Sequence, residues 1–445
     1  MIKKMTKEEL VAKAMQPGID AMRLHPFYKG KVGVMPKCCI RDFDDFAIWY
    51  TPGVAKPCLD IRDNPEKVFE HTNKGNMIAV VSDGTRVLGL GDIGPEAAMP
   101  VMEGKAILFK YLGGVDAVPI CLDTKDPDVF IETVKLLQPS YGGFNLEDIS
   151  QPKCFRILEE LRAQCRIPVW HDDQQGTAAV TVAGVFNALK IVGKDLASVS
   201  VSMIGAGAAN TACLRVLISA GLPPENVVMC DVDGILHKNR TEFEEGDPRL
   251  DFCRKTNAEN RRGGIPEAMK GTDLCIAYSK PGPDAFKPEW ISAMNKDAIL
   301  FTCANPIPEI WPWVAKEAGA RIVATGRSDF PNQVNNSLGF PGIFRGTLDV
   351  MATTITDEMC VEAARALAKV AEDKGMHESH LVPTMDEWEV YPREAAAVGR
   401  KAIEQGVARL DLSYDELLKM AEEKIKNARE SFHALQDKGL IRLPD

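Results

Sequence analysis

The sequence predicts an α/β fold made of two successive parallel-sheet units followed by a helical C-terminal part. Its 445 residues exceed what one ordinary hydrophobic core accommodates. From residue 75 to 175, strand-like and helix-like segments alternate, and a second alternation follows Gly176. Beyond Phe344 the pattern is mostly helical. We therefore predict three domains, at residues 1–175, 176–345 and 346–445.

The first unit is predicted from short apolar runs that alternate with amphipathic stretches. Strands are expected at 77–81, 117–122 and 167–170, and helices at 128–137 and 154–164. Sequential alternation of this kind is typical of an α/β domain.

The second unit repeats strand, helix and strand. A helix over 177–191 leads to a strand at 198–204, a helix that ends near Ala220, and further strands at 226–231, 274–277, 298–301 and 321–324. This repetition predicts a parallel, doubly wound sheet. The clearest helices of the C-terminal part cover 357–374, 393–405 and 414–438. We expect them to pack back on one or both domains.

Composition excludes several classes of protein. A net charge of −10 argues against a nucleic-acid binder, because phosphate backbones require a basic surface. The twelve cysteines are scattered without a C-x-x-C pair, which fits a reducing compartment. Residues 1–10 are charged where a signal peptide would be apolar. We expect no apolar run that approaches the length needed to span a bilayer, roughly 20 residues. The protein is therefore expected to be cytoplasmic.

Two glycine motifs compete as the loop that binds a dinucleotide pyrophosphate. The pattern G-x-G-x-x-G is complete at 89–94, whereas at 205–210 an asparagine replaces the last small residue. At the first motif Asp92 adds a negative charge, and Pro95 and Pro100 are expected to disrupt a following helix. The second motif lies between a strand and an uninterrupted helix, as pyrophosphate binding requires. We therefore favour the second motif, and we interpret the first as a tight turn near the substrate.

The second motif makes this unit a Rossmann-type NAD(P)-binding domain. The predicted cofactor-binding residues of the loop are Gly205, Gly207, Ala208 and Ala209. Asp231 ends the next strand, about 20 positions on, where a carboxylate binds the ribose hydroxyls and repels a 2′-phosphate. No arginine or lysine follows until Lys238. We therefore predict that NAD is preferred, with NADP as the alternative.

Four carboxylates in two short segments indicate a metal site. Glu147 and Asp148 precede a helix, and Asp172 and Asp173 end a strand. Carboxylates that converge repel one another unless a cation separates them, and such oxygen ligands suit Mg²⁺ or Mn²⁺. The alternative is that Asp148 and Ser150 cap one helix and Asp173 the next. Spacing does not decide between Asp172 and Asp173.

Two further residues are candidates for proton transfer. Tyr50 precedes a Pro-Gly turn, where its phenol can protonate a carbon or an oxygen, although a tyrosine at a turn is more often a packing residue. Lys105 follows Gly104 at the expected start of a helix. A partly desolvated lysine near a metal loses its proton more readily and can act as a base. Lys110 is the alternative candidate for the base, but it is expected to be an ordinary surface lysine.

Five ordered motifs between about residues 20 and 410 resemble the malic enzymes, the oxaloacetate-decarboxylating malate dehydrogenases, in their short bacterial and archaeal form. The motifs are Tyr50–Val54, Asp83–Asp92, Glu103–Lys105, Asn145–Asp148 and Asp172–Thr177. The resemblance implies an N-terminal substrate and metal domain followed by the NAD(P)-binding domain.

The resemblance also implies roles for single residues. Tyr50 would be the general acid and Lys105 the general base, and the metal ligands would be Glu147, Asp148 and Asp173. Residues implied to contact the substrate or the nicotinamide are Arg86, Asn305, Asn335 and Asn336. Arg86 departs from the short-form pattern and matches the long eukaryotic form; its planar fork suits a carboxylate.

The activity that the resemblance implies is metal-dependent oxidative decarboxylation of L-malate to pyruvate and CO₂, with reduction of NAD(P)⁺, by a homodimer. A malolactic-type enzyme that returns the hydride to give lactate is the nearest alternative. A metal-free hydroxy-acid or amino-acid dehydrogenase and a catalytically inactive dinucleotide-binding protein are the others. Net accumulation of NADH distinguishes a malic enzyme from the malolactic-type enzyme. Sensitivity to EDTA distinguishes it from the metal-free dehydrogenase.

Overall fold

The computed structural model describes residues 7–444 and contains two parallel sheets joined by helices. The first six residues, on which the expectation of no signal peptide partly rests, lie outside this range. The strands are β1 (Met77–Ser82), β2 (Asp116–Cys121), β3 (Gly143–Leu146), β4 (Val169–His171), β5 (Val201–Ile204), β6 (Val227–Asp231), β7 (Gly234–Ile235), β8 (Leu274–Ala277), β9 (Ile299–Thr302) and β10 (Ile322–Thr325).

The first sheet has the strand order β2-β1-β3-β4, with parallel pairings. Strand β3 was absent from the sequence expectation because it is four residues long and begins at a glycine. It pairs with both β1 and β4, so that Asn145 lies opposite Trp170 and Val80. As a result, the carboxyl ends of β3 and β4 are adjacent, and the segments that follow them meet.

The second sheet has the order β10-β9-β8-β5-β6-β7, in which only the short β7 pairs antiparallel among the strands of residues 7–444. The order reverses between β5 and β8, and ligands of doubly wound sheets bind at the carboxyl ends of the strands at such a point. The predicted fold class is thereby confirmed: an N-terminal α/β domain, a Rossmann-type doubly wound domain and C-terminal helices.

Seventeen helices are present in residues 7–444. They are α1 (Lys7–Tyr28), α2 (Phe46–Trp49), α3 (Ala55–Asp63), α4 (Val68–His71), α5 (Pro95–Gly113), α6 (Pro127–Leu136), α7 (Lys153–Gln164), α8 (Thr177–Val192), α9 (Ala208–Ser219), α10 (Pro248–Lys255), α11 (Ile265–Met269), α12 (Pro288–Ser292), α13 (Pro312–Glu317), α14 (Phe340–Asp349), α15 (Asp357–Asp373), α16 (Val390–Glu404) and α17 (Tyr414–Asp437).

Helix α5 corrects the expectation that prolines disrupt a helix after the first glycine motif. Pro95 occupies the first turn, where its missing N–H has no helical acceptor to lose, and Pro100 lies only one turn further. Lys105 is therefore in the middle of a long helix rather than at the start of one. The helix side chains Met102, Lys105 and Phe109 face the protein interior.

Helix α8 corrects the expectation about apolar runs. The helical segment Asp172–Val192, which includes α8, is long and apolar enough to cross a membrane. However, 72% of its most apolar 18-residue stretch is buried inside the protein. Helices α9 and α15 pack against α8, which explains why nearly every side of it is apolar. The segment is a core helix that joins the two sheets.

The C-terminal helices contact both sheet units. Helix α15 packs on α8 and α9, α16 packs on α14, and α17 packs on α5 of the first unit. A buried polar network anchors this arrangement: Arg345 pairs with Asp349 at 2.7 Å, and Lys424 of α17 pairs with the same carboxylate at 2.5 Å. The C-terminal part thus connects the two units, while the predicted boundaries near residues 175 and 345 stay predictions.

Candidate active site and dinucleotide cleft

Three carboxylates converge where β3 and β4 end. Glu147 and Asp148 follow β3, and Asp173 follows β4, with one oxygen of each within 4.8 Å of the others. The backbone N–H of Asp148 donates to Asp173 Oδ2 at 2.9 Å. The sequence-predicted metal set is therefore brought together by the parallel pairing of the two strands.

The donor set fits a hard divalent cation. Asp148 Oδ2 is buried and has no hydrogen-bond partner within residues 7–444, which leaves a buried acceptor free to bind a cation. Burial, followed by the charge of Asp173, raises the pKa of Asp148 to about 7. Burial also raises the pKa of Glu147 well above its ordinary value, against the opposing charge of Lys105. Mutual repulsion in a buried oxygen cluster is relieved by a bound cation.

The local backbone does not use these carboxylates as helix caps. In the described chain, Pro152 and Gly176, which precede α7 and α8, provide no side-chain cap. Asp148 instead adopts a left-handed conformation with φ of +56°, which turns the chain sharply after β3. Residues 172–176 form one wide helical turn before α8. The capping alternative for Asp148 and Asp173 is therefore wrong.

Lys105 lies beside the carboxylate cluster on α5. Its ammonium is 3.0 Å from Glu147 Oε1 and 2.6 Å from Asp172 Oδ2, and its side chain is only 8% exposed. Burial on its own disfavours the ammonium, but the charges of Asp172 and Glu147 outweigh burial and raise the pKa of Lys105. Desolvation lowers this pKa as expected, but the charges of Asp172 and Glu147 reverse the net direction. The same contacts place a proton carrier against the cluster.

Asp172 has a separate position from the three clustered carboxylates. It accepts hydrogen bonds from Lys105 Nζ, from Trp170 Nε1 at 3.3 Å and from the amide of Asn336. Gly176 permits this position, because a Cβ there would lie 2.0 Å from Asp172 Oδ1. The geometry therefore separates Asp172, which holds Lys105, from Asp173, which joins the cluster.

The second unit completes this site. Asn336 lies just before α14 and bonds to Asp172, and the ring of Phe340 lies 4.3 Å from the Lys105 ammonium. Such cation–π contact favours the charged lysine. Asn335 lies one residue away, but its side-chain oxygen accepts from Ser337 N at 3.0 Å and caps a short turn. The cluster is therefore located where the two sheet units meet.

The first glycine motif forms a turn beside the cluster. Val87 N donates to Gly91 O at 3.0 Å, which closes the loop. Gly84 is required because a Cβ would meet Gly94 O at 2.2 Å. Arg86 N donates to Asp148 O at 3.0 Å, while the Arg86 guanidinium is exposed and donates to Leu88 O at 2.6 Å. The prediction that this motif is a turn is consistent with its geometry.

Tyr50 is exposed, in contrast to the buried cluster. It ends the one-turn helix α2, and its side chain is 70% exposed. Its neighbours in the N-terminal arm, which we define as residues 15–59, include Phe43 and Trp49, and these are also exposed. This arm contacts helix α5 of the first unit, where the Lys31 ammonium donates to Pro100 O at 2.7 Å. The structure therefore brings Lys105 and the carboxylates together, but not Tyr50.

The second glycine motif has the geometry of a dinucleotide loop. Gly205 has φ of +96°, and a Cβ there would meet Tyr278 O at 2.4 Å. Helix α9 starts at Ala208, so the N–H groups of its first turn face the end of β5. Asn210 Nδ2 donates to Gly205 O at 2.8 Å and to Ile204 O at 3.0 Å. The asparagine that interrupts the motif therefore holds the loop in shape.

A cleft of about 750 Å³ opens beside this loop, and its lining includes Gly205, Asp231, Arg240 and Lys280. Asp231 ends β6 at the edge of the cleft, as predicted, and forms an ion pair with Arg240. Asn305 follows β9 and is exposed; its amide lies against Gly326, where a Cβ would approach to 3.2 Å. Asn305 thus lies on the second sheet unit, beyond the carboxyl end of β9.

Sequence reasoning missed Phe340 and Arg240, and it assigned no role to Asp172. Phe340 carries no signal in a linear pattern, because its role depends on helix α14 packing against α5. Asp172 was visible as a charge, but its bond to Lys105 spans 67 positions. Arg240 lies nine positions after Asp231, beyond Lys238, and the loop returns it to the strand end. Its only linear signal is a basic residue shortly after an acidic strand end.

Family models match most of the chain. The model described as the malic enzyme N-terminal domain matches residues 29–162, and the model described as the malic enzyme NAD-binding domain matches residues 174–310 and 318–403. The first match contains the glycine turn, Lys105, Glu147 and Asp148, and the second contains the dinucleotide loop. Together they agree with the order of the two sheet units.

Individual relatives agree with these matches. The chain is 48% identical over 398 residues to the bifunctional malic/malolactic enzyme of Bacillus subtilis, covering 89% of this chain and 96% of the relative. It is 48% identical over 382 residues to the NAD-dependent malic enzyme of Geobacillus stearothermophilus, covering 86% and 78%. The crystal structure of Entamoeba histolytica malic enzyme matches with a TM-score of 0.94 at 50% identity, covering 99% of this chain and 93% of that one. The predicted resemblance is confirmed, and the chain belongs to the malic enzyme family.

Proposed function

We propose that the protein catalyses the divalent-metal-dependent oxidative decarboxylation of L-malate to pyruvate and CO₂, with reduction of NAD(P)⁺. The observation that carries this proposal is the convergence of Glu147, Asp148 and Asp173 beside Lys105, at the junction with a dinucleotide-binding sheet. Oxygen ligands, a proton carrier and a dinucleotide loop are the parts that oxidation of a hydroxy acid requires. Family membership supports the same reaction.

The three clustered carboxylates would hold Mg²⁺ or Mn²⁺, and the loop at Gly205, Gly207, Ala208 and Ala209 would hold the dinucleotide pyrophosphate. When bound, the metal supplies Lewis-acid polarisation of the substrate oxygens, and the dinucleotide supplies the hydride acceptor. Asp148 Oδ2, which has no partner within residues 7–444, is a direct candidate for the metal.

Lys105 is proposed to remove the proton of the malate C2 hydroxyl. Its ammonium is fixed by Asp172 and Glu147, and the Phe340 ring covers it. These contacts hold the amine in one orientation, which reduces the entropy lost when substrate binds. Asn336, through Asp172, positions the same amine. A cation held by the carboxylate cluster would offset the charge of Glu147 that raises the pKa of Lys105, so that the ammonium could release its proton to solvent. The neutral amine could then accept the hydroxyl proton, and Lys105 is the proposed general base.

Tyr50 is proposed to deliver a proton to C3 after CO₂ leaves. The remaining substrate contacts are assigned to Arg86, Asn305, Asn335 and Asn336. Arg86 lies on the turn whose backbone bonds to Asp148, so its exposed guanidinium is near the cluster and suits a substrate carboxylate. Protonation at C3 completes the conversion of malate to pyruvate.

Spectrophotometric assay of the full chain tests this function. With L-malate, Mn²⁺ and NAD⁺ or NADP⁺, we expect absorbance of the reduced nicotinamide to increase and pyruvate to form in equal amount. Addition of EDTA should abolish the reaction, and excess Mn²⁺ should restore it. Turnover that persists undiminished in EDTA would favour a metal-free dehydrogenase.

Replacement of Tyr50 by phenylalanine tests the proposed acid. We expect malate turnover to fall by about 10²- to 10⁴-fold, the range for loss of a general acid. Reduction of added oxaloacetate should be retained, because that half-reaction needs no proton at C3. Tyr414→Phe on α17 is the matched control. An equal loss of both activities in Tyr50→Phe would refute the assignment.

A malolactic outcome is the second candidate, because the Bacillus subtilis relative is named a bifunctional malic/malolactic enzyme. In that reaction the hydride returns to the three-carbon product, so lactate forms without net reduced dinucleotide. Measurement of lactate beside pyruvate in the same assay separates the two outcomes.

A homodimer in the cytoplasm is part of the proposal. The arm from Met15 to Leu59 exposes large apolar side chains, including Val34, Phe43 and Ile48, which a second copy of the chain would cover. All twelve cysteine thiols are free, and all lie within residues 7–444, which supports a reducing compartment.

A further inference from the structure

The edge of the dinucleotide cleft contains a buried ion pair that the sequence did not predict. Asp231 ends β6, and Arg240 returns to it from the loop after β7. Arg240 Nη1 lies 2.7 Å from Asp231 Oδ1 and Arg240 Nη2 lies 2.8 Å from Asp231 Oδ2. The side chains are 9% and 6% exposed, so the pair is held by two parallel bonds away from bulk water.

Two of the remaining three N–H donors of Arg240 are also occupied. Nε donates to Glu242 Oε1 at 2.6 Å, and Nη1 donates to Gly234 O at 3.2 Å. The guanidinium lies 4.9 Å from the centre of the Phe243 ring. Asp233 Oδ2 lies 4.0 Å from Nη2. Arg240 is thus surrounded by three carboxylates and presents no complete fork toward the cleft.

Asp231 keeps part of its capacity to accept hydrogen bonds. Its Oδ1 accepts from Arg240 and from Asp233 N at 2.9 Å, and its Oδ2 accepts from Arg240. A carboxylate has about four acceptor positions, so one remains on Oδ2 for a ribose hydroxyl. In doubly wound folds the adenine ribose of a dinucleotide lies against this strand end.

We propose that Arg240 is a specificity-determining residue for the dinucleotide, and that its pairing with Asp231 selects NAD over NADP. While the pair is intact, the carboxylate accepts a ribose hydroxyl and the guanidinium is not available to a 2′-phosphate. When Asp231 is removed, the same guanidinium becomes a phosphate ligand at that position. The inference rests on the proposed dinucleotide cleft and adds a residue that determines its preference.

Titration calorimetry with NAD⁺ and NADP⁺, on the full chain and without malate, tests this inference. For Asp231→Ser we expect affinity for NADP⁺ to rise by about tenfold, because a released arginine fork binds phosphate bidentately. Affinity for NAD⁺ should fall in the same variant. In the double variant Asp231→Ser/Arg240→Gln, the gain for NADP⁺ should disappear.

Arg249→Gln is the matched control. Arg249 stacks on the same Phe243 ring at 4.5 Å but bonds to Asp247, so its replacement makes the same charge change without touching Asp231. We expect its ratio of NAD⁺ to NADP⁺ affinity to equal that of the parent protein. Thermal unfolding of each variant shows whether the fold is retained, and Asp231→Asn replaces Asp231→Ser if the latter unfolds.

Two outcomes would overturn the inference, and they are distinguishable. If the double variant keeps the gain for NADP⁺, or if Asp231→Ser gains none, Arg240 is not the determinant while the dinucleotide cleft stands. If the unmodified protein binds neither nucleotide, the proposed cleft itself fails, and the inference fails with it.

Discussion

Replacement of Lys105 by methionine should lower kcat for malate oxidation by about 10³-fold, within the range for loss of a general base. Methionine keeps most of the length of the side chain but removes the amine and its cation–π contact with Phe340. Steady-state assay of reduced nicotinamide formation measures the effect. The KM for malate should change less than kcat, because the proposed role of Lys105 is proton transfer rather than substrate binding.

The physical context of Lys105 requires a stability control. Removing the ammonium leaves Glu147 and Asp172 buried without their partner, and breaking a buried pair in this way costs about 3–5 kcal/mol. Thermal unfolding therefore has to accompany the kinetic measurement. Lys110→Met is the matched control, since Lys110 lies on the same helix, is exposed, and pairs with Asp116. A folded Lys105→Met enzyme with kcat near that of the parent would contradict the assignment.

The second large effect is expected for Asp148. We expect Asp148→Asn to lower affinity for Mn²⁺ by about 100-fold and to remove metal-dependent turnover, because one of three anionic ligands is lost. Asparagine is preferable to alanine here, because Asp148 has φ of +56° and asparagine tolerates that conformation well. Binding of Mn²⁺ can be followed directly by the electron paramagnetic resonance of the free ion.

Asp172→Asn is the informative comparison for Asp148→Asn. Asp172 bonds to Lys105 and Asn336 rather than joining the three clustered carboxylates, so its replacement should lower Mn²⁺ affinity much less. If Asp172→Asn and Asp148→Asn lost Mn²⁺ equally, the separation of the two roles would be wrong. Unchanged affinity in Asp148→Asn would exclude Asp148 as a ligand.

Metal affinity should also depend on pH. The pKa of Asp148 is raised to about 7 by burial and by Asp173, so below pH 7 a proton competes with the metal for this carboxylate. Affinity for Mn²⁺ should therefore rise as the pH increases through 7. In Asp148→Asn this part of the pH dependence should be absent.

The sequence predicted the elements of the second unit more completely than those of the first. Strands β5, β6, β8, β9 and β10 are apolar runs buried on both faces, which produces a strong linear signal. Strand β3 has only four residues and starts with glycine, and α5 contains two prolines, so local preferences pointed elsewhere. Pairing with β1 and β4 stabilises strand β3, and burial of an apolar face stabilises helix α5.

The carboxylate site was predictable only in part, because spacing did not distinguish Asp172 from Asp173. The two are adjacent in the chain, and both follow strand β4. Their separation follows from the wide turn at 172–176 and from the small residue Gly176, which together direct one carboxylate to Lys105 and the other to Asp148. Such a division depends on side-chain direction in three dimensions.

By itself, the sequence determined the fold class, and it predicted the glycine loop at Gly205 and the oxygen-rich character of the proposed metal site. These properties depend on short-range patterns: hydrophobic periodicity, a glycine that tolerates positive φ, and carboxylates at strand ends. Only the tertiary structure decided that Lys105 pairs with Asp172 and Glu147, that Phe340 covers it, and that Arg240 holds Asp231. Each of these contacts joins groups from separate elements, and their energies depend on burial and distance, which a linear pattern does not contain.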